Sequence, residues 1–145
     1  MELNKRWNEE EVKEDLFNIL YSIYHFERFL VLTYKLNYQE IYLLKLLKRN
    51  SPKKMSEVSA ELKIEAFSAS RLVARMVGKN LLKRYKAGED KRNVFISLTP
   101  EGENLVKKIE KKDYEIISEN AKDLKETALS AFFDAAKHIQ KIMKV

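Results

Sequence analysis

The chain has 145 residues, 45% of them hydrophobic and 34% charged, with no cysteine and a formal net charge of +6. That length suits one domain with a sizeable core, and the lack of cysteine excludes a disulfide framework, a thiolate nucleophile and a cysteine metal site. No run approaches about eighteen apolar residues, which excludes a membrane-spanning helix, and the charged start MELNKRWNEEEVKED has no signal-peptide core, so the expected compartment is cytoplasmic.

Residues 9–33 read as one long helix. Leu16, Ile19, Leu20, Ile23, Tyr24, Phe26, Leu30 and Val31 recur at spacings of three and four. They cover more than one narrow stripe, and a helix apolar around so much of its circumference is buried on several sides. In a chain this short, that predicts a second subunit. Asn37 then suits an N-cap, with Glu40 as its capping-box partner, before a helix whose face is Ile41, Leu44 and Leu47. Asn50-Ser51-Pro52 ends it.

A short helix is predicted over Ser56–Leu62, with Val58 and Leu62 inward. A tight turn follows at Lys63-Ile64-Glu65. The next helix runs from about Ala66 to Lys79, with Ala69, Leu72, Val73 and Met76 inward. Gly78 and Asn80 mark its end, and Asn tolerates the left-handed conformation needed there. Leu81–Lys86 and Asn93–Leu98 read as two strands of a hairpin whose tip is Gly88–Arg92. Thr99 is a good N-cap, Pro100 suits the first helical position and Glu101 the positive helix end. Helix continues to Val145, with a break expected near Asn120–Asp123.

The charge is unevenly placed along this order. Residues 1–50 hold eight basic and eight acidic side chains and residues 101–145 nine of each, whereas residues 51–100 hold eleven basic and five acidic. The whole excess sits in the segment with the two short helices and the hairpin. A surface for a polyanion concentrates charge this way; plain solubility is the bland alternative.

Two short helices, a tight turn and a two-stranded hairpin form the element order of a winged helix-turn-helix. The second helix would enter a major groove. Its outward set is Phe67, Ser68, Ser70, Arg71, Ala74 and Arg75. Arg71 is a candidate reader of guanine, and Arg75 a contact to phosphate or the groove edge. Bland readings stand beside these: Ser68 and Ser70 as plain surface, Phe67 packed on the preceding helix (the favoured reading), and Arg71 and Arg75 in weak ion pairs with Glu57 or Glu61.

Met55–Gly102 resembles the MarR regulators (multiple antibiotic resistance regulators). The most specific part is Asp90-Lys91-Arg92, five residues, then Leu98-Thr99-Pro100-Glu101-Gly102. It is similar to the family's wing pattern of Asp, any, Arg, five residues, Leu-Thr, two residues, Gly. SRLVARMVGKNLLKR is similar to the family's recognition helix and wing entry. The resemblance implies a mainly α fold with a small β-hairpin wing: one domain over 1–145, a winged helix at about 37–99, and dimerisation helices at about 9–33 and 100–145. It implies a homodimeric, ligand-responsive repressor or activator, with repressor the favoured reading, bound to a pseudo-palindromic operator in double-stranded DNA. By motif position Arg92 is the wing arginine entering the minor groove, with Lys91 beside it, and Asp90 braces the wing. Asn80 stands where the family commonly has Gly, and Glu65 at the usual hydroxyl N-cap.

Effectors in such proteins sit between the dimer helices and the winged domain, which draws attention to Tyr21, Tyr24, His25, Tyr34, Tyr38 and Tyr42, above all to Tyr21, Tyr24 and Tyr38, although an aromatic stripe is more often core. His25 and His138 lie at opposite ends of the chain and suit no metal site. No Ser-His-Asp set, phosphate-binding loop or dinucleotide glycine motif is present, so no enzyme, catalytic residue or cofactor is expected. The alternative reading is a winged helix that binds protein or structured RNA, which needs neither an arginine at the wing tip nor a two-fold scaffold.

Overall fold

The computed structural model describes residues 6–89 and 92–145. Ten elements follow among them: α1 (Glu9–Tyr34), α2 (Tyr38–Arg49), β1 (Lys53–Lys54), α3 (Met55–Leu62), α4 (Ala66–Gly78), β2 (Leu82–Lys86), β3 (Val94–Leu98), α5 (Pro100–Asn120), α6 (Glu126–Ala136) and α7 (Ile139–Ile142). They fall into two compact units, residues 1–106 and 107–145. Among the described residues no helix is long and apolar enough to cross a membrane.

In the first unit the caps follow the side chains. Asn8 accepts the Glu10 amide at 2.9 Å and starts α1. Asn37 and Glu40 form the expected capping box, with Asn37 Oδ1 accepting the Glu40 amide and Glu40 Oε2 accepting the Asn37 amide, each at 2.9 Å. The core is built where the apolar spacing places it. Ile41, Leu44 and Leu47 of α2, Val58 of α3, and Ala69, Leu72, Val73 and Met76 of α4 are all buried, joined by Ile96 of β3. Leu62, expected inward, is only half-buried.

The sheet departs from the expected two-stranded hairpin. It has three antiparallel strands in the order β1-β3-β2, with Lys53 paired to Ile96 and Lys54 to Phe95. Lys53 is buried, 2% exposed, and its Nζ lies 2.9 Å from Glu61 Oε2. A buried ammonium persists only when paired, and the half-exposed carboxylate on α3 supplies that partner. Glu61 is therefore engaged with β1 rather than with Arg71 or Arg75.

In the second unit the expected break falls at residues 121–124, and a further break at 137–138 separates α6 from α7. Phe132 and Phe133 stay exposed, their rings edge to face with centroids 5.3 Å apart.

Candidate nucleic-acid interface

The turn between α3 and α4 is tied by its own backbone. Lys63 takes the left-handed conformation, φ 51°, and the Ile64 amide donates to Ser59 O at 3.1 Å. Ser59 Oγ also donates to Ile64 O, at 2.7 Å. Glu65 caps α4 without any side-chain hydrogen bond, as its identity at a hydroxyl position suggests. With Ala69, Leu72, Val73 and Met76 held inside, the outward face is the one expected. Ser68, Arg71, Ala74 and Arg75 are exposed, and Ser70 is half-buried.

Two side chains on that face differ from their sequence readings. Phe67 does not pack on α3: the residue is 70% exposed, and the Arg71 guanidinium sits over its ring, 5.6 Å from the centroid. A cation over an aromatic face is attracted by the ring quadrupole, so the pair presents one composite surface near the start of α4. Arg75 does not meet Glu57 or Glu61. Its Nε is 3.6 Å from Oε1 of Glu40 on α2, and Lys79 Nζ lies 3.0 Å from the same oxygen. Sequence reasoning missed Lys79 altogether.

The wing is β2 and β3, in register from Leu82 opposite Leu98 to Lys86 opposite Val94. Tyr85 and Phe95 stack across it at 5.9 Å, a cross-strand aromatic pair that stiffens a short ribbon. Gly88 enters the tip at φ 78°, where a Cβ would be strained. Arg92 is exposed just before β3. Asp90 and Lys91 lie outside the described residues. Lys83, Arg84 and Lys86 of β2 are exposed as well. These three add to the wing's positive character, and the basic excess of residues 51–100 was the signal for them.

The wing is anchored where three elements meet. The Leu81 amide donates to Met76 O at 3.0 Å, and Leu81 O accepts the Thr99 amide at 3.1 Å. Asn80 takes the expected left-handed conformation, φ 59°, and its carbonyl accepts Thr99 Oγ1 at 2.6 Å. Thr99 Oγ1 in turn accepts the Gly102 amide at 3.0 Å, the expected N-cap of α5. A Cβ on Gly102 would stand 2.0 Å from Leu81 O. The motif Leu-Thr-Pro-Glu-Gly thus clamps the first turn of α5 onto the junction of α4 and the wing.

A cleft of about 50 Å³ lies between α1 and α2, lined by Phe26, Glu27, Leu30, Tyr38, Ile41 and others. Tyr42, on its wall, donates to Glu27 Oε1 at 2.7 Å. Of the three tyrosines singled out from sequence, Tyr38 lines this cleft. Tyr21 and Tyr24 lie instead in an exposed aromatic row on α1 with Phe17 and His25. Among the described residues no group of His, Cys, Asp or Glu could hold a metal ion.

An exposed recognition helix in a helix-turn-helix, followed by a cationic wing, defines a winged helix DNA-binding domain. Residues 36–102 match the family model of that description. The chain is 29% identical over 110 residues to the HTH-type transcriptional regulator MgrA of Staphylococcus aureus, spanning 76% of this chain and 69% of that one. Its fold is that of a MarR family protein from Bacillus stearothermophilus, at 18% identity and TM-score 0.82 over 96% of this chain and 99% of that one. It is also that of FabT from Streptococcus pneumoniae, solved in complex with DNA, at 14% identity and TM-score 0.80 over 94% and 98%. Residues 36–102 are thus described as a winged helix DNA-binding domain, in a chain similar to a DNA-binding transcriptional regulator and sharing its fold with MarR family proteins.

Proposed function

We propose that the protein acts as a cytoplasmic homodimer on a pseudo-palindromic operator, as a repressor released by a small-molecule effector. Each protomer lays α4 in the major groove and its wing in the adjacent minor groove. Arg71, held against Phe67, reads guanine, with Ser68 and Ser70 allowing close approach. Arg92 enters the minor groove, where a narrow A·T-rich stretch has enhanced negative potential. Lys91 is assigned to a neighbouring phosphate and Asp90 to bracing the wing.

The observation that carries this reading is the exposed Phe67–Arg71 pair on an otherwise small and hydroxyl-rich helix end, next to a wing with four exposed cations, Lys83, Arg84, Lys86 and Arg92. The dimer is supported by the apolar residues that α1 leaves in solvent, among them Leu16, Phe17, Ile19, Leu20 and Ile23, and by Phe132, Phe133 and Ile142 in the second unit. Large apolar side chains left exposed along one helix mark an interaction site. The cleft beside Tyr38 is the candidate effector site. Its 50 Å³ is far below the roughly 300 Å³ of a typical ligand pocket, so an effector there would have to part α1 from α2.

The test is a fluorescence-anisotropy salt titration on one operator and one scrambled duplex. Arg92→Ala should weaken both and flatten the salt slope by about one unit per subunit. Arg71→Ala should cost about 1–3 kcal/mol per half-site on the operator and little on the scrambled duplex. Lys91→Ala should change the salt slope and leave sequence preference intact. An Arg92→Ala protein that binds both duplexes as the parent does would put the protein-interaction reading ahead.

A further inference from the structure

Glu40 is 2% exposed, yet its carboxylate gathers donors from two helices. Lys79 Nζ lies 3.0 Å from one oxygen and 3.1 Å from the other. Arg75 Nε is 3.6 Å from Oε1, and the Asn37 amide donates to Oε2 at 2.9 Å. Asn37 is the N-cap of α2. Arg75 is in the last turn of α4, and Lys79 is its C-cap. One carboxylate therefore joins the first turn of α2 to the end of the recognition helix.

The capping box alone does not call for this charge. Its reciprocal bond needs an acceptor, which Gln supplies as well as Glu. The positive end of α2 favours an acid, but an exposed one would serve. A carboxylate this buried is unfavourable unless cations answer it, and here both cations come from α4. Those cations sit at the end of the helix remote from Phe67, Ser68, Ser70 and Arg71. A free lysine and arginine at that end would attract any phosphate backbone, whatever its sequence.

We propose that Glu40 is a positioning residue for DNA reading. It fixes the end of α4 against α2 and keeps Arg75 and Lys79 off the phosphate backbone, so that binding depends on Arg71 and the wing. This rests on the DNA-reading function proposed above. Loss of the charge should tighten binding to the wrong sequences, a sign opposite to that expected for damage to the fold.

The experiment compares the parent with Glu40→Gln, which keeps the shape and the capping acceptor and removes the charge. Affinities for the operator and the scrambled duplex are measured across salt concentrations. Expected are tighter binding to the scrambled duplex, a salt slope steeper by about one to two units per subunit, and a smaller ratio of operator to scrambled affinity. Adding Lys79→Met and Arg75→Met to Glu40→Gln should restore the parent's slope. If Glu40→Gln does not fold, Lys79→Met alone decides: an unchanged slope supports the proposal, and a slope shallower by about one unit places Lys79 on phosphate and overturns it. A folded Glu40→Gln protein with an unchanged or shallower slope also overturns it, leaving Glu40 a stability residue. A parent that binds neither duplex refutes the DNA-reading function itself, and this proposal with it. A parent that binds while Glu40→Gln leaves the slope unaltered refutes this proposal alone.

Discussion

Replacing Gly102 by alanine sets two effects against each other. Gly102 lies in the first turn of α5, and glycine in a helix is less favourable than alanine by about 1 kcal/mol. On propensity alone the substitution would stabilise the protein. The new Cβ, however, would stand 2.0 Å from Leu81 O and 3.0 Å from Leu81 C. Both are backbone atoms, so no side chain can rotate away. Contacts under 3.0 Å are essentially never seen for a real Cβ, which means the helix turn and the Leu81 peptide must separate by about 1 Å.

That movement strains three hydrogen bonds together: Thr99 amide to Leu81 O at 3.1 Å, Thr99 Oγ1 to Asn80 O at 2.6 Å, and Gly102 amide to Thr99 Oγ1 at 3.0 Å. At about 1 kcal/mol each, less the propensity gain, the expected net loss is about 2 kcal/mol. For a chain of this size the melting temperature should fall by roughly 6 °C. The assay is thermal and urea unfolding at fixed protein concentration, because the midpoint of the proposed dimer would depend on concentration. Operator affinity should also drop at temperatures where the variant is fully folded, since the same junction sets the wing against α4. An unchanged or raised midpoint would refute the reasoning and mean that the approach of α5 to Leu81 is looser than described.

Two further outcomes are expected. Glu65→Ser gives α4 the side-chain cap it lacks and should raise stability by about 0.5–1 kcal/mol, read from the same unfolding curves; a lower midpoint would show that the carboxylate contributes by another route. If the exposed Phe67 ring meets a thymine methyl, changing that thymine to deoxyuridine in the operator should cost the parent about 0.8 kcal/mol and Phe67→Ala nothing further; equal losses in both proteins would separate Phe67 from that contact.

The winged helix was legible because its signals are local. The inward spacing of α4, the Asn37 and Thr99 caps, and the left-handed Asn80 each depend on residues a few positions apart. β1 carried no such signal. It is two lysines long, and Lys53 reads as surface charge until β3 and Glu61 enclose it. Glu40 was visible only as a capping residue. Its contact with Lys79 spans 39 positions and exists because the end of α4 returns to the start of α2. Phe67 was misjudged for a related reason: at the first turn of a helix, an aromatic side chain faces α3 or solvent according to the angle between the two helices, which spacing does not encode. Asp90 and Lys91, central to the wing motif, remain expectations because they lie outside the described residues.

The most direct measurement is selection of bound fragments from a random pool of double-stranded DNA by the full chain, with a pool of structured RNA run in parallel. The expected result is one enriched DNA sequence made of two inverted half-sites whose centres lie one helical turn, about 10 base pairs, or a whole number of turns apart, each half-site carrying a guanine whose replacement is tolerated by Arg71→Ala but not by the parent. No enriched duplex, or enrichment from the RNA pool alone, would contradict a sequence-reading DNA regulator.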